Sequence, residues 1–285
     1  MSAPYELHQR PRLDEPLLVM ALEGWIDAGY GAATAMSTLV AGLDTQPVAT
    51  FDADELLDHR ARRPIMHLID GVNSSLTWPA IELRSATDLA GHDLLLLSGA
   101  EPDHGWRAFS LAVIDLARQF GVRMVVGLGA YPAAVPHTRP TLLSCTANSE
   151  ELAGRWPYLR GTLDVPAGVQ AAIERVAADV DLPAIGLWAQ VPHYTSAMAF
   201  PAAGLALVEN LARVGGLELP TRDLAEEAGE ARRRLDEIIA GNAEHAQMVQ
   251  ALESEADKAP STTMLPSGDE LAAELERYLR EQGDQ

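Results

Sequence analysis

Short apolar runs, separated by helical patterns, dominate the first three quarters of the chain. The clearest run, Asp93 to Ser98, contains four consecutive leucines, which is typical of a strand buried on both faces. From Trp106 to Phe120 apolar residues then recur every three or four positions, and a second β-branched run begins at Val122. This order predicts a βαβ unit with parallel strands and a right-handed crossover.

The pattern divides the chain into three parts. Residues 1 to 16 are polar and contain three prolines, so we predict an irregular N-terminal arm. Residues 17 to 216 alternate strands with helices and form a predicted α/β core domain. After a pair of glycines, residues 217 to 285 form a predicted helical C-terminal subdomain.

Apolar residues in the C-terminal part follow a four-three spacing from Leu224 to Leu252. This spacing predicts a helix that packs along another helix. We expect Leu235, Ile238 and Val249 to be buried against the core or against another subunit. A final amphipathic helix is predicted from Ser267 to about Glu281.

A separate pair of strands is predicted within the core domain, before the leucine-rich strand. Ile65 to Ile69 and Ala80 to Leu83 resemble two strands joined across Gly71 to Ser75, as a hairpin or meander. The most basic stretch of the chain, Arg60 to Arg63, directly precedes them. It is too short for a nucleic-acid surface, and we interpret it as a solvated loop or an intersubunit contact.

Ionisable side chains follow several predicted strands. Because ligands of open α/β sheets bind at the carboxyl ends of the strands, we expect one common rim to carry the function. The rim residues are Glu23, Asp27, Glu101, Asp103, His104, His137, Arg139, His193 and Tyr194. The catalytic candidates are Glu101, His137 and His193, and the ligand-binding candidates are Asp27, Glu101, His137, Arg139, His193 and Tyr194.

Several of these residues also have a structural interpretation. Carboxylates beside histidines perform acid–base chemistry or bind metal ions. However, Asp27 precedes a predicted helix and is placed to cap it, and Glu101 precedes a proline and is placed to brace a turn. His137 and His193 both follow a proline and are placed to bond to neighbouring backbone.

Composition narrows the classes of partner. The chain has 285 residues and a formal net charge of −20, which argues against nucleic acid and anionic membranes as partners. The one cysteine, Cys145, cannot form an internal disulfide, and no apolar run reaches the length of a membrane span. We therefore expect a cytoplasmic protein.

The sequence lacks the strong signatures of several enzyme classes. A P-loop is excluded because the one lysine is Lys258, far from any glycine-rich loop. The chain contains no Gly-x-Ser-x-Gly, His-Glu-x-x-His or Cys-x-x-Cys motif. We therefore expect neither a metal nor a cofactor.

Five short motifs, in this order, resemble the proteasome assembly chaperone 2 family in its actinobacterial branch. They are Gly24-Trp25-x-Asp27-Ala28-Gly29, Gly99-x-Glu101-Pro102, Trp106-x-x-Phe109, Val135-Pro136-His137-Thr138-Arg139-Pro140 and Val191-Pro192-His193-Tyr194. The resemblance implies a three-layer α/β/α fold with a mostly parallel sheet, similar to nucleoside phosphorylases and related hydrolases. It also implies a homo-oligomer, with a trimer as the expected form, and no established enzymatic activity. In eukaryotic and archaeal relatives the implied role is to help proteasome α-subunits assemble.

Three functional hypotheses follow. The first is a non-catalytic, assembly-chaperone-like binding protein whose partners are copies of itself and proteasome α-subunits. The alternative is a phosphorylase- or hydrolase-like enzyme, or a binder of a small anionic metabolite, that uses Glu101, His137, Arg139 and His193. In the third, the stiff proline-containing rim loops form an oligomer contact.

Overall fold

The computed structural model describes residues 4–24 and 26–258. These described residues contain ten strands: β1 (Tyr5–Leu7), β2 (Leu17–Glu23), β3 (Gln46–Phe51), β4 (Ile65–Ile69), β5 (Val72–Thr77), β6 (Ile81–Thr87), β7 (Asp93–Ala100), β8 (Met124–Ala133), β9 (Leu143–Ala147) and β10 (Ala184–Pro192). The helices are α1 (Gly31–Gly42), α2 (Ala53–Leu56), α3 (Trp106–Gln119), α4 (Glu150–Gly154), α5 (Val169–Ala178), α6 (Pro201–Gly215), α7 (Arg222–Ala240) and α8 (Ala243–Lys258). Short 3-10 turns cover Ala28–Tyr30 and His193–Thr195.

Eight strands form one sheet in the order β1-β3-β6-β7-β2-β8-β10-β9. The four strands β7, β2, β8 and β10 run parallel to one another, and β3 runs in the same direction because two antiparallel pairings separate it from β7. Five of the eight strands therefore share one direction, as expected of a mostly parallel sheet. Antiparallel strands close both edges.

Helices cover both faces of this sheet, which confirms the three-layer α/β/α fold. Alternate residues of β2 enter two separate apolar cores: Leu17 and Val19 pack with α1 and α6, whereas Leu18 and Met20 pack with α3 and α5. A strand buried in this way has no polar face, which explains its continuous apolar sequence.

Two local predictions need correction. The N-terminal arm is not wholly irregular, because β1 adds an antiparallel edge strand to β3. In addition, β4 pairs with β5 and not with the segment that begins at Ala80. Asp70 and Gly71 both have positive φ, as a two-residue hairpin turn requires, and Asp-Gly is the pair that favours such turns.

Ala80 instead leads into β6, which enters the large sheet beside β7. Gly99 permits this entry: its φ is +114°, and a Cβ there would overlap the carbonyl oxygen of Ala80. The β4–β5 hairpin is consequently separate from the large sheet.

The C-terminal helical pattern is interrupted where one continuous helix was predicted. Helix α7 ends at Ala240, and the Asn242 side chain accepts hydrogen bonds from Glu244 N (3.0 Å) and His245 N (3.2 Å) to begin α8. Val249 is buried and Leu235 is partly buried, whereas Ile238 is exposed in the single chain. The predicted helix from Ser267 lies outside the described residues.

Candidate functional site

The carboxyl ends of β7, β2, β8 and β10 meet at one edge of the sheet, because these strands are parallel. The structure therefore brings the predicted rim residues to one side of the molecule. A backbone bond from Glu101 N to Glu23 O (2.9 Å) joins the loops after β7 and β2. The side chains of the rim, however, turn to different partners.

Asp27 caps α1. Its two carboxylate oxygens accept hydrogen bonds from Ala32 N (2.8 Å) and Ala33 N (2.9 Å). Burial raises the pKa of Asp27, and the bonds from these amides oppose that rise. The carboxylate thus stabilises the N-terminal end of α1, where the helix dipole is positive, as its structural interpretation predicted.

Glu101 is held by α5. Its Oε1 accepts a hydrogen bond from Val169 N (2.6 Å), at the first residue of that helix. The carboxylate also lies directly on Gly24, where an added Cβ would overlap it. This close approach is a reason for glycine in the first motif.

His137 is fully enclosed between the core and the C-terminal helices. Its Nδ1 lies 2.7 Å from the Tyr194 hydroxyl, and its Nε2 lies 2.9 Å from Oδ1 of Asp236 on α7. The Tyr194 oxygen accepts a further bond from His137 N (2.9 Å). All contacts are satisfied when the hydroxyl donates to Nδ1 and the Nε2–H donates to Asp236. Burial raises the pKa of Tyr194.

Arg139 is bound to α8. Its Nε and one terminal nitrogen form a fork with the Asp257 carboxylate (2.8 and 2.7 Å), and the other terminal nitrogen lies 3.2 Å from Glu253. The hydrogen bond from Arg139 holds the pKa of Asp257 below its usual value. Thr138 donates to the same Glu253 oxygen, and Arg232 of α7 donates to Thr138 O (3.1 Å).

Helices α7 and α8 therefore pack on the segment from Val135 to Pro140. Sequence reasoning missed its partners Asp236, Glu253 and Asp257. The acidic character of the C-terminal part was the available signal, but it does not identify individual residues. These partners are distant in sequence: 99 residues separate His137 from Asp236, and 118 residues separate Arg139 from Asp257. No local sequence pattern extends over such distances.

The remaining rim residues do not complete an acid–base pair. His193 is exposed and packs edge-on against the Tyr194 ring, with centroids 5.3 Å apart. Asp103 accepts a bond from Asp58 N (2.8 Å) and pairs with Arg62 (3.4 Å), so it fixes the base of the β4–β5 hairpin; His104 is exposed.

Two further searches cover the described part of the chain. Over residues 4–24 and 26–258, no group of three or more His, Cys, Asp or Glu side chains has a metal-binding arrangement. None of the helices in the described ranges is both long and apolar enough to cross a bilayer.

A buried carboxyl group lies away from the rim and was not predicted. Glu174 of α5 accepts a hydrogen bond from Thr146 Oγ1 (3.0 Å), in space that Gly186 leaves open on β10. Burial raises the pKa of Glu174 to about 7, although the Thr146 bond acts in the opposite direction. No sequence pattern indicated this residue, because glutamate on a helix is normally solvated.

The β4–β5 hairpin is the second candidate surface. Every residue of both strands is exposed. Seven large apolar side chains, between 42% and 65% exposed, belong to the hairpin and the residue after it: Ile65, Met66, Leu68, Ile69, Val72, Leu76 and Trp78. We call residues 65–78 the apolar hairpin. Strand β4 carries apolar side chains on both of its faces, a pattern that normally indicates a buried strand, so no signal in the sequence pointed to its exposure.

Comparison with known proteins supports the motif resemblance. The PAC2 family model matches residues 21–239. The chain is similar to Rv2714, a Mycobacterium tuberculosis protein of unknown function, with 39% identity, coverage of 90% of this chain and 92% of that chain, and a TM-score of 0.84. A protein of unknown function from Corynebacterium glutamicum has 34% identity, with coverage of 90% and 97% and a TM-score of 0.85.

A third solved structure carries a functional description. The Mycobacterium tuberculosis proteasome-assembly chaperone homologue Rv2125 has 32% identity, covers 82% of this chain and 99% of that chain, and has a TM-score of 0.76. A comparison with curated proteins finds no match. The motifs, the fold and the family model agree, and the chain belongs to the PAC2 family.

Proposed function

We propose that this chain is a non-catalytic, assembly-chaperone-like binding protein that acts through protein–protein contacts as a homo-oligomer. Proteasome α-subunits are the expected partners, and a trimer is the expected form. The described similarity of this chain to a proteasome-assembly chaperone homologue supports the class of partner.

The proposal rests on the hydrogen-bond partners of the rim side chains. Asp27 and Glu101 bind helix amides, and His137 and Arg139 bind carboxylates of α7 and α8. A general acid or base must reach the substrate proton, and a group engaged in holding the fold together is not free to do so. These contacts favour binding through the outer surface over catalysis at the rim.

An enzyme or a small-metabolite binder remains the alternative. It is favoured by one observation: Glu101, His137 and His193 follow three parallel strands, β7, β8 and β10, that end at one edge of the sheet. A ligand there would have to contact the exposed His193 and compete with Asp257 for Arg139.

Native mass spectrometry of the protein, purified gently from its own host, tests both functions. Retained proteasome α-subunits on a homo-oligomer are expected. A homo-oligomer that never retains α-subunits contradicts the partner. A reproducible small-molecule adduct that disappears in the His193→Ala variant would instead establish the alternative.

A further inference from the structure

An open groove runs between the edge strand β1 and helix α3. Its volume is about 730 Å³, within the ~300–1,000 Å³ that is usual for ligand sites in proteins. Leu111 of α3 is 55% exposed, so apolar surface lies open in this groove. None of the residues that line it belongs to the rim or to the apolar hairpin, and they include Pro4, Tyr5, Ala108, Leu111, Asp115 and Arg118.

The outer edge of β1 has unpaired backbone groups within the described part of the chain. Strand β1 is the last strand of the large sheet on this side. Pro4 O accepts a bond from the residue after β3 (2.9 Å), and His8 N donates to a carbonyl of β3 (2.8 Å). Because bonded and non-bonded pairs alternate in an antiparallel ladder, Tyr5 and Leu7 direct their N–H and C=O groups away from β3. Four backbone groups are therefore available to a further strand.

The free edge and the groove form one continuous surface. The side chains of Tyr5 and Leu7 both pack on the core that α3 covers. The Tyr5 ring packs edge-on against Phe51 (5.7 Å between centroids), which in turn packs against Phe109 of α3 (4.7 Å). A strand added to β1 would continue the pleat of the sheet, so its alternate side chains would enter the groove beside Leu111.

One end of the groove is cationic. Strand β1 leads to Arg10, which donates to the side-chain oxygen of Gln119 (3.4 Å) at the C-terminal end of α3. Arg118 lines the groove at the same end. Neither guanidinium group forms an ion pair with any described residue, although the chain has a net charge of −20. Asp115, one turn earlier on α3, disfavours a carboxylate in the middle of the groove by like-charge repulsion.

We propose that this groove binds an extended peptide of a partner protein by strand addition to β1. The peptide runs parallel to β1, bonds to the backbone of Tyr5 and Leu7, and places apolar side chains beside Leu111. Its carboxyl end carries an acidic side chain, which lies between Arg10 and Arg118 and forms charge-assisted hydrogen bonds with them. Backbone bonds supply affinity and the alternate side chains supply specificity, as at other sites of strand addition.

This inference goes beyond the proposed function, because it depends neither on proteasome α-subunits nor on a homo-oligomer. The peptide site and the proposed partner are therefore tested separately. A second copy of this chain is the competing occupant of the groove, and the mass of the chain distinguishes it from a peptide.

The experiment selects random hexapeptides with free carboxyl termini, displayed on phage, against the purified full chain. Enriched peptides are expected to alternate apolar residues and to end in an acidic residue. A fluorescein-labelled synthetic copy should bind in the micromolar range, measured by fluorescence anisotropy. N-methylation of the peptide nitrogens that face β1 should abolish binding, whereas N-methylation of the intervening nitrogens should not, because only the former donate to the sheet edge.

Substitutions in the groove test the contact with the apolar side chains. Leu111→Asp is expected to raise the dissociation constant of the synthetic peptide at least ~10-fold, because it places a charge against an apolar side chain. Leu142→Asp is the matched control: Leu142 is 52% exposed and precedes β9, at the opposite end of the sheet, so the dissociation constant should not change. Amide exchange in β7 should match the wild type in both variants.

A second pair of variants tests the cationic end of the groove. Arg118→Glu is expected to weaken peptide binding and to reduce its dependence on salt, because one of the two cations is lost. Arg233→Glu, which changes an exposed arginine of α7, should leave both unchanged.

Several results would overturn the inference. They are a selection that enriches no peptide, a selected peptide whose affinity is unchanged by Leu111→Asp, or binding that survives N-methylation at every position. A lower mass of the peptide-free chain for Leu111→Asp than for the wild type, measured by light scattering, would show that a second copy occupies the groove and would also overturn it. A wild-type chain that binds the peptide but never retains α-subunits would leave the inference standing and refute only the proposed partner.

Discussion

Glu174 makes the stability of this protein depend on pH in a direction opposite to that of most carboxylates. Its pKa is about 7 in the folded chain, against a reference value of 4.5. The unfolded chain therefore releases the proton at lower pH than the folded chain does. The stability that the neutral side chain provides is complete below pH 4.5 and is lost as pH rises towards 7.

The size of the effect follows from the difference in pKa. A difference of about 2.5 units corresponds to about 3 kcal/mol. Glu174→Gln has nearly the same shape, keeps an oxygen that can accept the bond from Thr146, and cannot ionise. The free energy of unfolding of this variant, relative to the wild type, should rise by about 3 kcal/mol between pH 4.5 and pH 8.

Urea unfolding at these two pH values, followed by circular dichroism, measures this difference. All other titrating groups are common to both proteins and cancel. Glu209→Gln is the control, because Glu209 is exposed on α6 and its replacement should show no such trend. Equal effects of Glu174→Gln at pH 4.5 and pH 8 would refute the assignment of a buried, neutral glutamic acid.

Two other side chains give sharp expectations. Burial raises the pKa of Asp88, but the bonds from Glu218 N and His92 outweigh it and lower the pKa to about 2. Asp88→Asn should therefore lower the free energy of unfolding by about 2 kcal/mol at pH 7, and by less as pH falls from 3.8 towards 2. Urea unfolding measures this loss, and an equal loss at pH 7 and pH 2.5 would contradict the prediction. Arg139→Met should accelerate amide exchange throughout α8 while that of α6 stays unchanged, because only Val249 of α8 is buried. Arg222→Met is the control, and equal acceleration by both variants would exclude the Arg139 ion pairs as the attachment of α8.

The strands of the core could be predicted from sequence because burial on both faces is encoded locally. The leucines of β7 and the apolar run of β2 need only their own neighbours to indicate a central parallel strand. The cap at Asp27 was predictable for a similar reason, since the carboxylate and the amides it binds lie within six residues of one another.

The hairpin shows where such local reasoning stops. The sequence indicated strands near Ile65 and Ala80, but the choice of partner depended on a two-residue turn at Asp70 and on space at Gly99, a strand away. Apolar residues in short strands are usually buried, and only the three-dimensional arrangement reveals that these are exposed.

The rim residues show most clearly which features can be predicted from local sequence and which cannot. The order of apolar runs and helical patterns was enough to predict that His137, Arg139 and His193 follow strands whose carboxyl ends lie at one edge of the sheet. Their contacts with α7 and α8 appear only in the folded chain, because the carboxylates that His137 and Arg139 bind come from helices about a hundred residues later. Strand order and burial arise from short-range periodicity, whereas an ion pair depends on where the whole chain returns.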